Sequence, residues 1–193
     1  MKYIIAGTDR PQSTTLKLAH YVQKIYKSLG ENVEIIDLVQ VKEHLHSGPV
    51  YANDKAGLGA ISEKINASEG LIVICPEYNG SMPGVLKYFI DHMKFPQAFE
   101  YRPVSFIGLG GLFGGLRPVE HLQQIFGYRN SFIYPERVFM MNVNKVVDAQ
   151  GEVTDELMKQ LLQKQAEGFQ KFCKALSAHK LDANAYIEMK KQK

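Results

Sequence analysis

The stretch IVICPEYNGSMPGVLK, residues 72–87, constrains this chain more than any other, because it reads in succession as a buried strand, a stop, a turn and a helix. Four apolar residues before Pro76 suit a strand covered on both faces, as in a parallel sheet sandwiched between helices. Pro76 removes a ladder donor. Asn79-Gly80 supplies turn chemistry, and Pro83 opens an amphipathic pattern through Leu86, Phe89, Ile90 and Met93. The turn presents backbone N–H groups to which a planar polar ligand can bond.

The same strand-then-helix order runs along the chain. Residues 2–6 read as a first strand and residues 7–15 as the loop after it. A helix follows with Leu18, Val22, Ile25 and Leu29 on one face and Gly30 as its stop. Residues 33–38 form a second strand, giving a right-handed β-α-β unit. Between Val39 and Gly59 the pattern weakens, and Pro49, Asn53-Asp54 and Gly57 predict an irregular connection before a helix at 58–67. Strands at 71–75 and 104–107 follow, with a helix at 83–93 between them. A helix marked by Pro118, Val119, Leu122, Ile125 and Phe126 is expected to end at Gly127, and a fifth strand, 132–134 with 138–141, is broken at Pro135. Thr154 reads as the N-cap of a last long helix whose covering face is Leu157, Leu161, Gln165, Phe169, Phe172 and Leu176. The expected fold is therefore α/β, a five-stranded parallel sheet with helices on both faces.

The 193 residues, 45% hydrophobic and 22% charged, suit one globular domain with an ample core. We place it at residues 1–178 and read 179–193 as a basic, solvated C-terminal tail, since much of the net charge of +3 sits in Lys190, Lys191 and Lys193. That charge gives no reason to expect a nucleic-acid or membrane partner. No run approaches the ~20 apolar residues of a membrane span, and Met1-Lys2 leads straight into a short strand without the pattern of a signal peptide. The expected location is cytoplasmic. Cys75 and Cys173 read as buried packing residues in a reducing compartment. A Cys-x5-Arg phosphatase loop is excluded because position 81 is Ser.

In open α/β sheets ligands sit beyond the carboxyl ends of the strands. Three loops fall there: 7–15, 76–81 and 108–115. The first has the makings of a phosphate cradle, with Ser13, Thr14 and Thr15 at a helix N-terminus and Arg10 adding a positive fork. The alternative is that Ser13 or Thr14 only caps the helix and Arg10 is a surface charge. Asp9 argues against an anion there unless its carboxylate turns away. A Walker loop fails, because Leu116 stands where Lys is required, and G-x-G-x-x-G fails at Phe113. His44 and His46 form an H-x-H pair with no further metal ligands in view. His92 and His121 fall on helices, where a surface or satisfied histidine is the default.

The segments G-T-D-R-x-x-S-x-T (7–15), P-E-Y-N-G-S-M-P-G-V-L-K (76–87) and the Gly114-Gly115 helix start resemble the NADPH-dependent FMN reductase family, which includes chromate and quinone reductases of flavodoxin-like fold. The resemblance covers about residues 2–175. It implies a flavodoxin-like three-layer sandwich and an FMN-dependent oxidoreductase using NADPH or NADH as co-substrate. By the same resemblance Thr8, Arg10, Ser13 and Thr15 hold the phosphate, and Thr14 joins them from the reading of the helix N-terminus. Pro76, Glu77, Tyr78, Asn79 and Gly80 hold the isoalloxazine ring, and Gly108, Gly110 and Gly111 its far edge. Thr8 stands where the family usually has Ser, and Gly108 and Gly110 where it often has a Ser after the fourth strand. A nicotinamide would stack on the flavin and pass hydride to N5, for delivery to a quinone, free flavin or similar small electron acceptor. Because the flavin carries the chemistry, no acid–base triad is expected. Self-association as a dimer or tetramer is also implied, and Glu77 and Tyr78 suit either a flavin or a subunit contact. Two other readings stay open: a flavodoxin-type electron carrier, against which the pI of about 8.7 argues, and a binding or regulatory protein that kept the fold without the cofactor.

Overall fold

A computed structural model describes residues 1–45 and 57–191. The elements in order are β1 (Lys2–Ala6), α1 (Thr14–Ser28), β2 (Val33–Asp37), α2 (Leu38–Leu45), α3 (Leu58–Asn66), β3 (Gly70–Pro76) and α4 (Gly84–His92), then β4 (Pro103–Leu109), α5 (Leu116–Tyr128), β5 (Phe132–Ile133), β6 (Val138–Met140), α6 (Val143–Val146), α7 (Glu156–Ala178) and α8 (Ala183–Lys191). The strands are parallel in the order β2-β1-β3-β4-β5, with β6 also on β4. β5 pairs the start of β4, through Pro103↔Phe132, and β6 pairs its end, through Leu109↔Met140. They share the fifth position as one strand interrupted around Pro135, as the sequence suggests.

β1, β3 and β4 are buried along their whole length because both faces are covered. Side chains alternate between two cores. Tyr3, Ile5, Val73, Cys75 and Phe106 pack with α2, α3, α4 and α5, whereas Ile4, Ala6, Ile72, Ile74 and Ile107 pack with α1 and α7. The fold is the flavodoxin-like three-layer sandwich. Chain order reverses between β1 and β3, since β2 lies on one side of β1 and β3 on the other.

Several local expectations change. The chain does not loop out after β2: α2 starts at once, with Asp37 Oδ1 accepting from the Val39 amide at 3.0 Å and Leu38, Val41 and Leu45 buried. The N-cap of α7 is Asp155 rather than Thr154, its Oδ1 accepting from Met158 N at 2.9 Å. The buried face of α7 begins with Met158 and Leu162, while Leu157 and Leu161 are exposed. Gln165, the polar residue on that face, donates to the carbonyls of Phe106 and Glu136, both at 2.9 Å. Gly127 lies inside α5, and the left-handed residue that ends the turn is Asn130, φ 55°.

The segment after residue 178 is not a loose tail. α8 docks on the amino end of the sheet, where Ala183 is buried, Asn184 Nδ2 donates to Ser68 O at 3.2 Å and Tyr186 meets Tyr101 edge-on at 4.8 Å. Lys190 and Lys191 remain exposed. Beneath it the buried Lys2 ammonium lies 2.6 Å from Glu31 and 3.5 Å from Glu69. No helix among the described residues is long and apolar enough to cross a membrane.

Candidate functional site

The carboxyl ends of β1, β3 and β4 carry three loops, and together these enclose a cavity of about 480 Å³. That size lies within the roughly 300–1,000 Å³ of small-molecule sites. Its walls are residues 10–15 from the first loop, Pro76, Glu77 and Tyr78 from the second, Leu109, Gly110 and Gly111 from the third, and Val143 and Asn144 after β6.

At one end stands the start of α1. Ser13 is the N-cap, and its Oγ accepts from Leu16 N at 3.1 Å. The hydroxyl oxygen thus caps the helix while its O–H remains able to donate, and the amides of Thr14 and Thr15, which precede the first intrahelical bond, add to the anion-binding capacity. The first turn of α1 holds no acidic residue, and Arg10 is exposed at the rim. Asp9 does turn away: it lines a different hollow, with Lys42, Gly84 and Tyr88. Thr8 is 1% exposed and does not face the cavity. Its Oγ1 accepts from the Arg10 amide at 3.3 Å and shares a 2.9 Å hydrogen bond with Tyr78 Oη, bracing the first loop against the second.

The second loop is a two-residue reversal. Tyr78 N donates to Ser81 O at 2.9 Å and Ser81 N to Tyr78 O at 3.1 Å, while Asn79 and Gly80 both take positive φ, 51° and 75°. This double left-handed turn is what an Asn-Gly pair favours. The amides of Tyr78 and Ser81 are consumed in it, and those of Asn79 and Gly80 bond to no backbone carbonyl among the described residues. Asn79 and Gly80 lie beyond the cavity wall proper. Glu77 lies on the wall, anchored by its amide to Leu109 O at 3.0 Å and by its carboxylate to Arg117 at 2.9 Å. Beside it Ser81 Oγ pairs with His121 Nδ1 at 2.9 Å.

In the third loop Gly110 and Gly111 line the cavity but Gly108 does not. Gly108 sits inside β4, where a Cβ would stand 2.7 Å from the carbonyl oxygens of both Gly114 and Gly115. Its smallness lets the start of α5 close on the sheet, which is a packing role. Gly110 N donates to Met140 O at 3.3 Å, Val143 N to Gly110 O at 3.1 Å and Asn142 N to Gly111 O at 2.6 Å. These bonds bring Val143 and Asn144 to the site, two residues the sequence reading missed along with Pro11 and Gln12. The signal was present, because the segment follows the carboxyl end of the fifth strand position.

His46 of the H-x-H pair lies outside the described residues, and no metal-binding cluster of His, Cys, Asp and Glu occurs among those described. His92 is buried, and its Nδ1 donates to Tyr88 O at 2.8 Å. Both cysteines are buried, and burial pushes the Cys173 thiol up to about 12 and the Cys75 thiol higher still.

A polar cavity with free helix amides and a guanidinium at one end, next to a turn whose Asn79 and Gly80 amides bond to no backbone carbonyl, fits a planar ring system that carries an anionic tail. Comparison with known proteins agrees. A family model described as NADPH-dependent FMN reductase matches residues 3–145. The chain is 30% identical over 159 residues to an NAD(P)H-dependent FMN reductase of Pseudomonas aeruginosa, covering 76% of this chain and 81% of that one. It is 32% identical over 126 residues to an FMN-dependent NADPH-azoreductase of Staphylococcus aureus, covering 63% and 66%. Among solved structures it is similar to an NADH:FMN oxidoreductase, with TM-score 0.69, 21% identity and 87% of each chain covered. It is also similar to a flavoenzyme NAD(P)H:(acceptor) oxidoreductase from Paracoccus denitrificans, with TM-score 0.66, 21% identity and 90% and 96% covered.

Proposed function

The chain belongs to the NADPH-dependent FMN reductase family and is an FMN-dependent NAD(P)H oxidoreductase; from that premise we propose how its residues hold the flavin and what receives the electrons. The observation that carries the reading is the single cavity lined by residues 10–15, 76–78 and 109–111. The amides of Thr14 and Thr15 and the Arg10 guanidinium bind the phosphate, with Ser13 fixing the helix start. Pro76, Glu77 and Tyr78 wall the ring, and the amides of Asn79 and Gly80 stabilise negative charge on it. Gly110 and Gly111 allow close approach at the far edge. Thr8 and Gly108 act from behind, by bracing and packing.

Bound there, FMN supplies hydride acceptance from NADPH or NADH and onward electron delivery. The chain's own residues would bind and orient the ring. The electron acceptor is a quinone, a free flavin or a similar small molecule, with no nucleic-acid or membrane partner. The catalytic unit is residues 1–178 with α8 appended, working in the cytoplasm. Self-association as a dimer or tetramer is part of the proposal, supported by the exposure of Phe95 (63%) and Tyr128 (82%).

The test is to add FMN to the purified chain, record the flavin absorbance bands, and follow NADPH and NADH oxidation with a quinone present. Hydrogen bonds to charged groups contribute about 1.5–3 kcal/mol, so Arg10→Ala is expected to weaken FMN binding roughly 10- to 100-fold with little change in stability. Equal losses in both would make Arg10 a structural surface charge. Flavin binding without pyridine nucleotide oxidation would favour the electron carrier.

A further inference from the structure

Among the described residues α5 adds nothing to the cavity wall, yet it grips the second loop at both ends of its reversal. Arg117 Nη1 donates to Glu77 Oε1 at 2.9 Å, and His121 Nδ1 shares a 2.9 Å hydrogen bond with Ser81 Oγ. Positions 117 and 121 stand four apart, so both side chains leave the same face of the helix, one turn from each other. Arg117 reaches the turn a second time, because a Cβ on Gly80 would stand 3.8 Å from its Cδ. The helix is a firm base for these contacts. Val119, Leu122 and Phe126 are buried, and the start of α5 closes on β4 at Gly108. The Arg117 guanidinium also lies 4.5 Å from the centroid of the Phe113 ring, which adds to its fixing.

The Asn79-Gly80 turn closes on itself through the two Tyr78–Ser81 backbone bonds. These fix its shape but not its tilt toward the cavity. Thr8 and Leu109 hold the entry of the turn, at Tyr78 and the Glu77 amide, and α5 adds the Glu77 carboxylate and the exit at Ser81. Charge makes the Arg117 contact more than a brace. Glu77 lies on the cavity wall with its side chain only 16% exposed, and a carboxylate there opposes the negative charge on the ring that the Asn79 and Gly80 amides favour. Arg117 cancels it from outside the wall. Without that cation the same wall would prefer the oxidised, uncharged ring to the reduced, anionic one.

We propose that Arg117 and His121 are positioning residues for the flavin ring. His121 sets the tilt of the Asn79-Gly80 turn, and Arg117 both braces the turn and neutralises Glu77, so that the reduced ring is held as well as the oxidised one. The proposal rests on the flavin reading given above, and neither residue lines the cavity.

Two measurements that need no turnover test it. The first is the Kd of oxidised FMN, from fluorescence quenching, together with the midpoint potential of the bound flavin, which yields the Kd of the reduced form. Arg117→Gln should raise the ratio of reduced to oxidised Kd about tenfold, a fall in potential of about 30 mV for a two-electron couple. That is the low end of what a neighbouring charge does, as suits a half-exposed Arg117. Glu77→Gln should move the potential the other way, Arg117→Lys should restore it, and the double variant Glu77→Gln/Arg117→Gln should return the ratio to within about twofold of the unaltered protein. The second measurement is amide hydrogen exchange in the flavin-free protein, where Arg117→Gln and His121→Ala should each speed exchange at Tyr78 and Ser81 several-fold and leave β3 unchanged. Equal weakening of oxidised and reduced FMN by Arg117→Gln, or a double variant no closer to the unaltered protein than the single one, would overturn the neutralising role. Unchanged exchange at Tyr78 and Ser81 would overturn the bracing role. So would a lower sedimentation coefficient with ratio and exchange unchanged, which would make this face of α5 a contact between copies of the chain, shared with the exposed Met141 beside Gly114. If the unaltered protein does not bind FMN, the flavin reading itself fails, and the exchange comparison still decides whether α5 holds the turn.

Discussion

Replacing Glu31 by Gln tests the charge cluster beneath the sheet. Glu31 is 14% exposed and accepts from Lys2 at 2.6 Å and Gln170 at 2.7 Å, with Lys174 3.4 Å away. Burial works to raise its pKa, but these donors and the Lys2 charge win and bring it down from 4.5 to about 2. At about 1.4 kcal/mol per pKa unit, the carboxylate contributes up to about 3 kcal/mol at neutral pH. A depressed folded pKa means that this contribution is complete above the unfolded value and is lost as pH falls from about 4.5 to about 2, with about 1.4 kcal/mol left at pH 3. Glu31→Gln also leaves the buried Lys2 ammonium with only Glu69 at 3.5 Å, so the total loss at pH 7 should be about 3–5 kcal/mol. Urea unfolding of both proteins at pH 7, 4.5 and 3 should show the gap narrowing as pH falls. Adding Lys2→Met should recover much of the loss at pH 7, because removing both charges avoids the stranded cation. A gap below about 0.5 kcal/mol at pH 7, or one that does not change with pH, would refute the reasoning.

Gly108→Ala puts a methyl against two carbonyl oxygens at the start of α5; it should cost about 1–3 kcal/mol by overpacking and weaken FMN binding indirectly, read by thermal melts and flavin fluorescence. Thr8→Val removes the bond to Tyr78 and should lower stability by about 1 kcal/mol; the loosened turn should also weaken FMN binding several-fold. Ellman's reagent at pH 8 should label neither Cys75 nor Cys173 in the native protein, since both are buried with raised pKa values, and both in guanidinium.

Elements bounded by strong local chemistry were legible in the sequence. The apolar runs of β1, β3 and β4 announced a doubly covered sheet, and Ser13, Gly30 and Asn79-Gly80 stand where cap, stop and turn were expected. α2 was hidden for a physical reason. β2 runs into it without a connector, Asp37 serving as both the last strand residue and the cap. The signs were an acidic residue followed by Leu38, Val41 and Leu45 at helical spacing. On α7 the adjacent pairs Leu157-Met158 and Leu161-Leu162 gave two stripes of equal spacing. Periodicity alone does not choose between them; the contact with the sheet does, burying Met158 and Leu162.

The site shows the same division between local and long-range information. Arg10, Ser13, Thr14, Thr15 and residues 76–78 were found because each loop carries its own signal at closely spaced positions. Thr8 and Gly108 were expected to touch the ligand, yet neither lines the cavity: Thr8 bonds Tyr78 and Gly108 packs against the start of α5, whereas Ser13 both caps α1 and lines the cavity. Each bond or contact holds a neighbour in place, so polarity or smallness at a strand end serves two masters: the ligand and the loop that faces it. Only the pairing across loops separates them. The phosphate end of the proposed site is thus built from backbone amides whose direction is set by a side-chain cap. Substitutions behind that end, such as Thr8→Val, should shift flavin affinity without a change in the residues that line the cavity. A protein in which Thr8→Val left flavin affinity unchanged would not be organised in this way.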